Sequence, residues 1–261
     1  MTTEQTQEYD DALVALLQLV WGDGFMSPGG PDEIKMIVQA ADLTGKSVLD
    51  IGCGTGGITK FLADKFAPAK VVGIDVDPGL IERAEKRWDG TQSVGWLSYE
   101  CVAPGKLPFE DGSFDVVFSK DSMLHIEDKE ALFADIYRVL SPGGVIAASD
   151  WLSSTEPPFS KQMAYYIDIE GLGFSMASPD RYRQALAVAG FGDISLTDRN
   201  AWYRSIADME YQAVRGHLYK EIIALAGQDF ADEAVEVWRA LTVVVGSGEL
   251  LPTHIYARKP E

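Results

Sequence analysis

Short apolar runs alternate with helical patterns along the first 150 residues. Runs of this length between glycine or proline turns are typical of strands buried in a parallel sheet. Strands that alternate with helices form βαβ units with right-handed crossovers, so the pattern predicts an α/β fold with helices on both faces of one sheet. The runs fall at 46–52, 71–75, 94–101, 114–119 and 145–149, and helical patterns cover 58–66 and begin again near Pro78.

The alternation breaks after Asp150. Residues 157–174 are rich in aromatic residues and methionine, and we interpret them as a helical insertion. Residues 178–189 predict a helix in which Ser178 is the N-cap and Pro179 takes the first position. The pattern ends with a strand at 193–197, two more helical stretches and a last strand at 251–259.

Composition and charge narrow the function classes. Hydrophobic residues at 46% and charged residues at 24% fit a soluble globular protein. The formal net charge of −18 would repel a phosphate backbone, so we expect no nucleic acid partner. There is no apolar run near the ~18 residues of a membrane span, and the start is polar and acidic, so we expect a cytoplasmic protein without membrane attachment. Two cysteines and three histidines leave little material for a metal site.

The strongest local signal is a strand that ends in closely spaced glycines before a helix. It reads Val48-Leu-Asp-Ile-Gly-Cys-Gly-Thr-Gly-Gly57. Glycine lets the backbone approach a ligand closely, and α/β sheets bind ligands at the carboxyl ends of their strands. Asp75 closes the next strand, where a carboxylate can accept hydrogen bonds from ribose hydroxyls. Because the turn lacks the G-x-G-x-x-G spacing of dinucleotide sites, the pattern favours a mononucleoside ligand.

These residues resemble the class I S-adenosylmethionine-dependent methyltransferases over roughly residues 43–145. The family pattern E/D-x-G-x-G-x-G appears as Asp50-Ile-Gly-Cys-Gly-Thr-Gly56, and 107–115 and 140–144 match later landmarks. The resemblance implies a Rossmann-like α/β fold, with a mostly parallel seven-stranded sheet, an antiparallel last strand and a helical lid. It implies S-adenosylmethionine as the cofactor, S-adenosylhomocysteine as the product, and no metal. The cofactor-binding residues it implies are Asp50, Gly52, Cys53, Gly54, Gly56, Asp75, Val76, Val102 and Lys120.

One position departs from that family. Many relatives carry an Asp after the third strand that contacts the adenine amine, whereas this chain reads Glu100-Cys-Val-Ala103. The adenine is therefore expected to be recognised by backbone groups or by another side chain.

The chain length allows a single domain. At 261 residues the chain can bury one sizeable core, and nothing in the sequence requires a second. We therefore expect one methyltransferase domain, working as a monomer or homodimer. Its expected segments are an N-terminal helical lid at 1–42, a cofactor-binding core at 43–150, a helical insertion at 151–190, and C-terminal strands and helices at 191–261.

A narrower resemblance concerns the methyl acceptor. The segments 21–30, 119–125 and 149–151 are similar to phosphoethanolamine N-methyltransferases, and the C-terminal half also resembles sarcosine/dimethylglycine N-methyltransferases. Both groups methylate small amines, which implies a small-molecule acceptor here. The resemblance implies Asp121 and His125 as a catalytic pair. Four residues apart, on a first helical turn, they would share a face and let the carboxylate orient the imidazole. Such a pair helps because an amine must lose a proton before it attacks a methyl group.

Aromatic side chains form the second acceptor feature. A methylated ammonium is attracted to aromatic faces, at roughly 0.5–2 kcal/mol for a good contact. For any one ring, ordinary core packing is the competing explanation. The predicted acceptor-binding residues are Trp21, Phe25, Ser27, Trp151, Tyr165 and Tyr166.

Several alternatives stay open at this point. Phe25 and Trp151 stand where the phosphoethanolamine enzymes have tyrosines, and the cationic phosphate ligands of those enzymes lack secure counterparts. A dianionic phosphate without cationic partners would be poorly stabilised, so we favour a small amine with or without phosphate or carboxylate. Methyl transfer to sulfur or carbon, or a cofactor-binding partner subunit without its own activity, would show the same glycine-rich turn. His125 and Asp121 also fit a purely structural role at a helix end.

Overall fold

Seven strands form one sheet in the computed structural model, which describes residues 9–88 and 96–261. The order across the sheet is β3-β2-β1-β4-β5-β7-β6. Neighbours from β1 to β5 run parallel, while β7 is antiparallel to both β5 and β6. This arrangement confirms the predicted fold class. The strands are β1 Ser47–Ile51, β2 Lys70–Asp75, β3 Leu97–Cys101, β4 Phe114–Lys120, β5 Leu140–Ser153, β6 Gly192–Asp198 and β7 Leu250–Arg258.

Helices connect and cover these strands. The N-cap predicted at Ser178 is confirmed, because its hydroxyl accepts from the Arg181 backbone N–H at 3.2 Å. A one-turn 3₁₀ helix, Met123–His125, follows β4. The α-helices are α1 Asp11–Trp21, α2 Gly30–Ile37, α3 Gly57–Phe66, α4 Pro78–Trp88, α5 Lys129–Val139, α6 Lys161–Glu170, α7 Pro179–Ala189, α8 Asn200–Val214, α9 Tyr219–Ala226 and α10 Gln228–Ser247.

The structure differs from the predicted elements in three places. Strand β5 is much longer than 145–149, because it pairs with β4 from Leu140 and with β7 as far as Ser153. Residues 200–247, all described, form three helices where two were predicted, because Gly227, at φ +99°, separates α9 from α10. In the predicted strand 94–101, residues 94 and 95 lie outside the described residues.

Alternate residues of the central strands pack on opposite faces of the sheet, as strand geometry requires. Leu49 and Val117 face a core built with α5 and α7, whereas Val48 and Val116 face a core built with α2 and α3. A third core brings α1, α6, α8 and α10 together around Trp151, near the carboxyl end of β5. The helices outside the βα units therefore form a cap at the end of the sheet where ligands bind. Among the described helices, none has the length and hydrophobicity needed to cross a membrane.

Candidate active site

A cavity of about 1220 Å³ opens at the carboxyl ends of the parallel strands. The residues that follow β1, close β2, follow β3 and close β4 all contribute to its wall. Binding pockets for drug-sized molecules measure roughly 300–1,000 Å³, so this cavity has room for a nucleoside cofactor and a small second molecule.

The glycine-rich turn forms the wall next to β1. Gly52 and Gly54 have φ of +74° and +54°, in the left-handed region that favours glycine. A Cβ on Gly52 would collide with the Ser122 side chain. The Gly54 N–H donates to Asp75 Oδ2 at 2.9 Å, and Asp75 Oδ1 accepts from the Asp77 N–H at 3.0 Å. These bonds fix the Asp75 carboxylate at the cavity edge, where the sequence predicted a ribose ligand.

Two of the predicted cofactor residues lie behind this turn and are not among the described lining residues. Asp50 is only 2% exposed, and its Oδ2 accepts from the Thr59 hydroxyl at 2.7 Å. Burial raises the pKa of Asp50 to about 7. Gly56 precedes α3 at φ +79°, and a Cβ there would lie 2.7 Å from the Tyr99 ring. Both residues shape the turn from the side away from the cavity.

The cavity wall that follows β2 and β3 carries apolar side chains. Val76 is 53% exposed although it is apolar, and it lines the cavity beside Val102 and Ala103. An exposed apolar side chain inside a cavity is typical of a surface that a flat ligand covers. Of the stretch 100–103, Val102 and Ala103 line the cavity, so the described wall has no acidic side chain from this stretch. Cys53 and Lys120, proposed from the sequence as cofactor ligands, also line the cavity.

Lys120 and Asp121 form a buried ion pair at the end of β4. The ammonium lies 2.5 Å from Asp121 Oδ2, and the side chains are 3% and 7% exposed. Asp121 has φ +53°, a conformation that Asp tolerates better than most residues. Its N–H donates to the Ser149 carbonyl at 2.8 Å, and its Oδ1 accepts from the Ser149 hydroxyl at 3.1 Å. Asp121 is therefore held against β5.

His125 lines the same cavity but is oriented by other partners. Its Nδ1 lies 2.8 Å from the Leu172 carbonyl oxygen, and its Nε2 lies 3.4 Å from the Tyr9 hydroxyl. A carbonyl oxygen can only accept, so Nδ1 carries the proton and Nε2 is the basic nitrogen of the neutral ring. In the structure the Leu172 carbonyl accepts from Nδ1 and orients the imidazole. This corrects the prediction that Asp121 orients it. The reason is local, because Asp121 precedes the 3₁₀ turn and its positive φ directs it towards β5.

The predicted acceptor residues separate into two groups. All of them lie in the described part of the chain, and Ser27 alone lines the cavity, with a buried hydroxyl that has no hydrogen-bond partner. Phe25 packs in the core beside α2 and α3. Tyr165 is 44% exposed, and its hydroxyl donates to Glu236 at 2.8 Å on the outer side of α10. The structure therefore does not bring Phe25 and Tyr165 to the cavity wall.

Two of the other predicted aromatics, Trp151 and Tyr166, lie one layer behind His125. The Phe174 ring contacts the His125 ring at 5.3 Å between centroids. On its other sides Phe174 contacts Trp151 at 6.5 Å and Tyr166 at 6.2 Å. The fourth aromatic, Trp21, donates its indole N–H to Glu210 at 2.8 Å. Trp151, Phe174 and Tyr166 do not line the cavity but form an aromatic cluster next to His125, and Trp21 packs against the same hydrophobic core.

Sequence reasoning missed several residues of this region, among them Tyr9, Leu172 and Glu210. Tyr9 lies in an acidic segment without hydrophobic periodicity, and Leu172 acts through its backbone, so neither gives a sequence signal. Glu210 does give one, because it falls at the helical spacing of the buried face of α8, between Tyr203 and Val214.

A family model described as a methyltransferase domain matches residues 49–148. Together with the sheet order and the glycine-rich turn, it defines a class I S-adenosylmethionine-dependent methyltransferase domain, which confirms the first resemblance. Phosphoethanolamine N-methyltransferase 3 of Arabidopsis thaliana is 33% identical over 244 residues, covering 93% of this chain and 48% of that protein. The chain thus spans about half the length of the curated relatives it matches.

Solved structures give the same result at the level of the fold. Phosphoethanolamine N-methyltransferase 2 of Haemonchus contortus, in complex with phosphomonomethylethanolamine and S-adenosylhomocysteine, aligns with a TM-score of 0.88. That alignment has 25% identity and covers 98% of this chain and 59% of the other. A putative sarcosine dimethylglycine methyltransferase from Galdieria sulphuraria aligns with a TM-score of 0.79 and 20% identity, covering 96% of this chain and 99% of the other.

Proposed function

We propose that the protein transfers the methyl group of S-adenosylmethionine to the nitrogen of a small amine. The observation that carries this proposal is the orientation of His125, whose basic Nε2 faces the Tyr9 hydroxyl in the cavity that also holds the glycine-rich turn. The names of the relatives support an amine acceptor.

The cofactor half of the cavity is suited to S-adenosylmethionine. Asp75 would accept from the ribose hydroxyls, Val76 and Val102 would enclose the adenine, and the backbone of Gly52 and Gly54 would lie against the methionine part. When bound, the cofactor supplies a methyl group already activated by its positively charged sulfur. The protein therefore has to orient the acceptor, exclude water and remove a proton.

The acceptor half of the cavity, formed by Tyr9, Asp121 and His125, would supply these functions. An amine is protonated near neutral pH, so its cation would first be attracted by the Asp121 carboxylate. The amine proton would then pass to His125 Nε2, directly or through the Tyr9 hydroxyl, which can both donate and accept. Lys120 and Ser149 would keep Asp121 in place while this happens.

We further infer that the chain works as one methyltransferase unit with the predicted segments 1–42, 43–150, 151–190 and 191–261. Two of these segments support this inference, because Tyr9 comes from the N-terminal lid and Leu172 from the helical insertion, and both contact the His125 imidazole. Closure of either segment over the cavity would therefore orient the base as it excludes water.

The test is methyl transfer from labelled S-adenosylmethionine by the purified chain to matched sets of small amines and thioethers. We expect labelled product from an amine. Product from thioethers alone would instead favour the S-methyltransferase alternative, and cofactor binding without turnover on any acceptor would favour a partner subunit. Calorimetric titration with S-adenosylhomocysteine serves as the control that the protein is folded and binds its cofactor.

A further inference from the structure

The loop between α1 and α2 packs against the glycine-rich turn. We call it the lid loop, and it comprises residues 22–29. The Gly24 carbonyl accepts from the buried Thr55 hydroxyl at 3.1 Å. A Cβ on Gly57, the first residue of α3, would collide with the same carbonyl. A side chain at position 57 would therefore push the lid loop away from the turn.

An arginine on α4 holds the lid loop from outside the cavity. The Arg87 guanidinium donates to the Gln18 side-chain oxygen at 2.7 Å and to the Asp23 carboxylate. The same Gln18 oxygen accepts from the Gly24 backbone N–H at 2.9 Å. Arg87 is not among the described residues that line the cavity, so it acts on a bound ligand through the lid loop.

The lid loop contributes three residues to the cavity wall, namely Gly24, Met26 and Ser27. The Met26 side chain lies over Gly54, where a Cβ would be 2.9 Å from the sulfur atom. The Ser27 hydroxyl is buried and has no hydrogen-bond partner among the described residues. A buried hydroxyl without a partner is costly, so this one points to a polar group of a bound ligand.

These contacts relate the lid loop to the cofactor half of the cavity. In the proposed function the methionine part of S-adenosylmethionine lies against Gly52 and Gly54. Because Met26 lies over Gly54 and Ser27 lines the same cavity, the lid loop encloses that part of the cofactor. Contacts between the loop and the cofactor must therefore break before the cofactor leaves.

We propose that Arg87 and Gln18 are positioning residues, which hold the lid loop on the glycine-rich turn and thereby slow the release of the bound cofactor. This inference rests on the proposed function, because it takes the cofactor to lie against that turn. Hydrogen bonds from a charged donor are stronger than those between neutral groups, so loss of the guanidinium lets the loop leave the turn more often. The contacts of the loop with the cofactor are then broken for a larger fraction of the time.

The test measures how fast labelled S-adenosylhomocysteine leaves the protein after excess unlabelled compound is added. No acceptor is present, so the result does not depend on whether the acceptor is an amine. We expect Arg87→Met to accelerate release by about 10-fold, because it removes the hydrogen bonds to Gln18 and Asp23. Lys86→Met, which removes an exposed cation from the same helix, is the matched control and should release at the wild-type rate.

The two ways in which this test can fail are distinguishable. Unchanged release from a folded Arg87→Met variant would overturn the inference and leave the proposed function intact. Wild-type protein that binds no S-adenosylhomocysteine would overturn both.

A pair of variants at Gln18 separates positioning from general destabilisation. Gln18→Glu keeps an oxygen that can accept from both Arg87 and the Gly24 N–H, whereas Gln18→Leu removes it. We expect about 10-fold faster release from Gln18→Leu, and release within about threefold of wild type from Gln18→Glu. Urea unfolding confirms that both variants are folded. Equally fast release from the two would show that the hydrogen bonds of Gln18 do not hold the loop.

Salt gives an independent readout of the same contact. The ion pair between Arg87 and Asp23 is partly exposed, so dissolved ions screen it. Raising the ionic strength from about 0.05 M to about 0.5 M should accelerate release more in the wild type than in Arg87→Met. A second pair between α4 and α1, Arg83 with Asp11, is present in both proteins and cancels in the comparison. An equal salt effect in the two proteins would count against the role of Arg87.

Discussion

The chemistry of His125 depends on one backbone carbonyl. Leu172 O accepts from Nδ1 at 2.8 Å, which fixes the tautomer and leaves Nε2 as the unprotonated nitrogen of the neutral ring, facing Tyr9. The residues beside it are fixed in similar ways, because Asp121 is held by Lys120 and Ser149. At the residue scale, the site is thus a set of side chains whose protonation and orientation are determined by their neighbours.

Loss of the His125 imidazole should separate catalysis from cofactor binding. General-base catalysis contributes about 10²–10⁴-fold, so we expect His125→Ala to lower kcat within that range. Affinity for S-adenosylhomocysteine, measured by calorimetry, should change by less than about threefold, because in the proposed function Asp75 and the glycine-rich turn hold the cofactor. His217→Ala, an exposed histidine between α8 and α9, is the control. A parallel loss of both quantities would assign His125 a structural role.

Glu210 should make stability depend on pH. Burial raises its pKa from 4.5 to about 7, so between these pH values the folded state binds more protons than the unfolded state. Its contribution to stability is therefore complete below pH 4.5 and is lost as pH rises through about 7. Urea unfolding at a series of pH values should show Glu210→Gln losing this decline, worth about 3 kcal/mol. If the unfolding free energies of the wild type and of Glu210→Gln changed in parallel with pH across this range, the assignment would be contradicted.

At the scale of elements, side chains from α5 and β5 hold the 3₁₀ turn that carries His125. The Lys129 ammonium is fully buried and donates to the carbonyls of Met123, at 2.7 Å, and Ile126. Asp150 Oδ1 accepts from the Leu124 N–H at 3.2 Å, and its Oδ2 accepts from the Tyr182 hydroxyl. A turn this short cannot satisfy its own backbone groups, so the buried Lys129 and Asp150 side chains do so.

Lys129→Met should therefore loosen the 3₁₀ turn that carries His125. The substitution keeps the buried volume but leaves two carbonyls without a donor, at about 1–3 kcal/mol of unfolding free energy. We expect kcat to fall while cofactor affinity is preserved, because the turn carries His125 and the Asp75 side of the cavity is untouched. Urea unfolding and steady-state kinetics measure the two effects. Lys161→Met, at the exposed start of α6, controls for the loss of a positive charge. Unchanged kinetics in a destabilised Lys129→Met variant would show that the turn keeps its geometry without the lysine.

At the scale of the molecule, an ion network joins the two ends of the chain. Glu33 of α2 is 3% exposed and accepts from Arg199 at 2.8 Å and from His254 of β7 at 2.5 Å. Burial alone would raise the pKa of Glu33, but the hydrogen bonds from His254 and Arg199 bring it below its ordinary value. The carboxylate therefore stabilises the fold at neutral pH, and this contribution is lost as pH falls below about 4.5.

Removing this carboxylate should destabilise the whole domain. Breaking a buried pair leaves an uncompensated charge, so we expect Glu33→Gln to cost about 3–5 kcal/mol at pH 7, measured by urea unfolding. Glu82→Gln removes an exposed carboxylate paired with Lys86 and should have little effect on the unfolding free energy, because solvent screens an exposed pair. Equal losses in the two variants would show that the Glu33 network contributes no more than a surface pair.

The features that the sequence predicted correctly are local. Strand β1, the glycine-rich turn and Asp75 lie within 29 residues of chain, from Ser47 to Asp75. Their spacing alone brings them to one edge of a parallel sheet. The Ser178 cap is local as well, because the hydroxyl and the N–H it binds are three residues apart. The alternation of strands and helices was sufficient to predict the fold class, because the hydrophobic periodicity of each element depends only on its own residues.

The sequence by itself determined the sheet, the cofactor edge and the place of His125 beside it. The tertiary structure decided the partners of that histidine, since Tyr9 and Leu172 are 116 and 47 residues away from it along the chain. It also decided which predicted aromatics reach the cavity and which pack behind it, and it brought Glu210 of α8 against Trp21 of α1. Contacts between distant segments depend on how the cap helices pack over the sheet, and hydrophobic periodicity shows which face of a helix is buried but not what it meets.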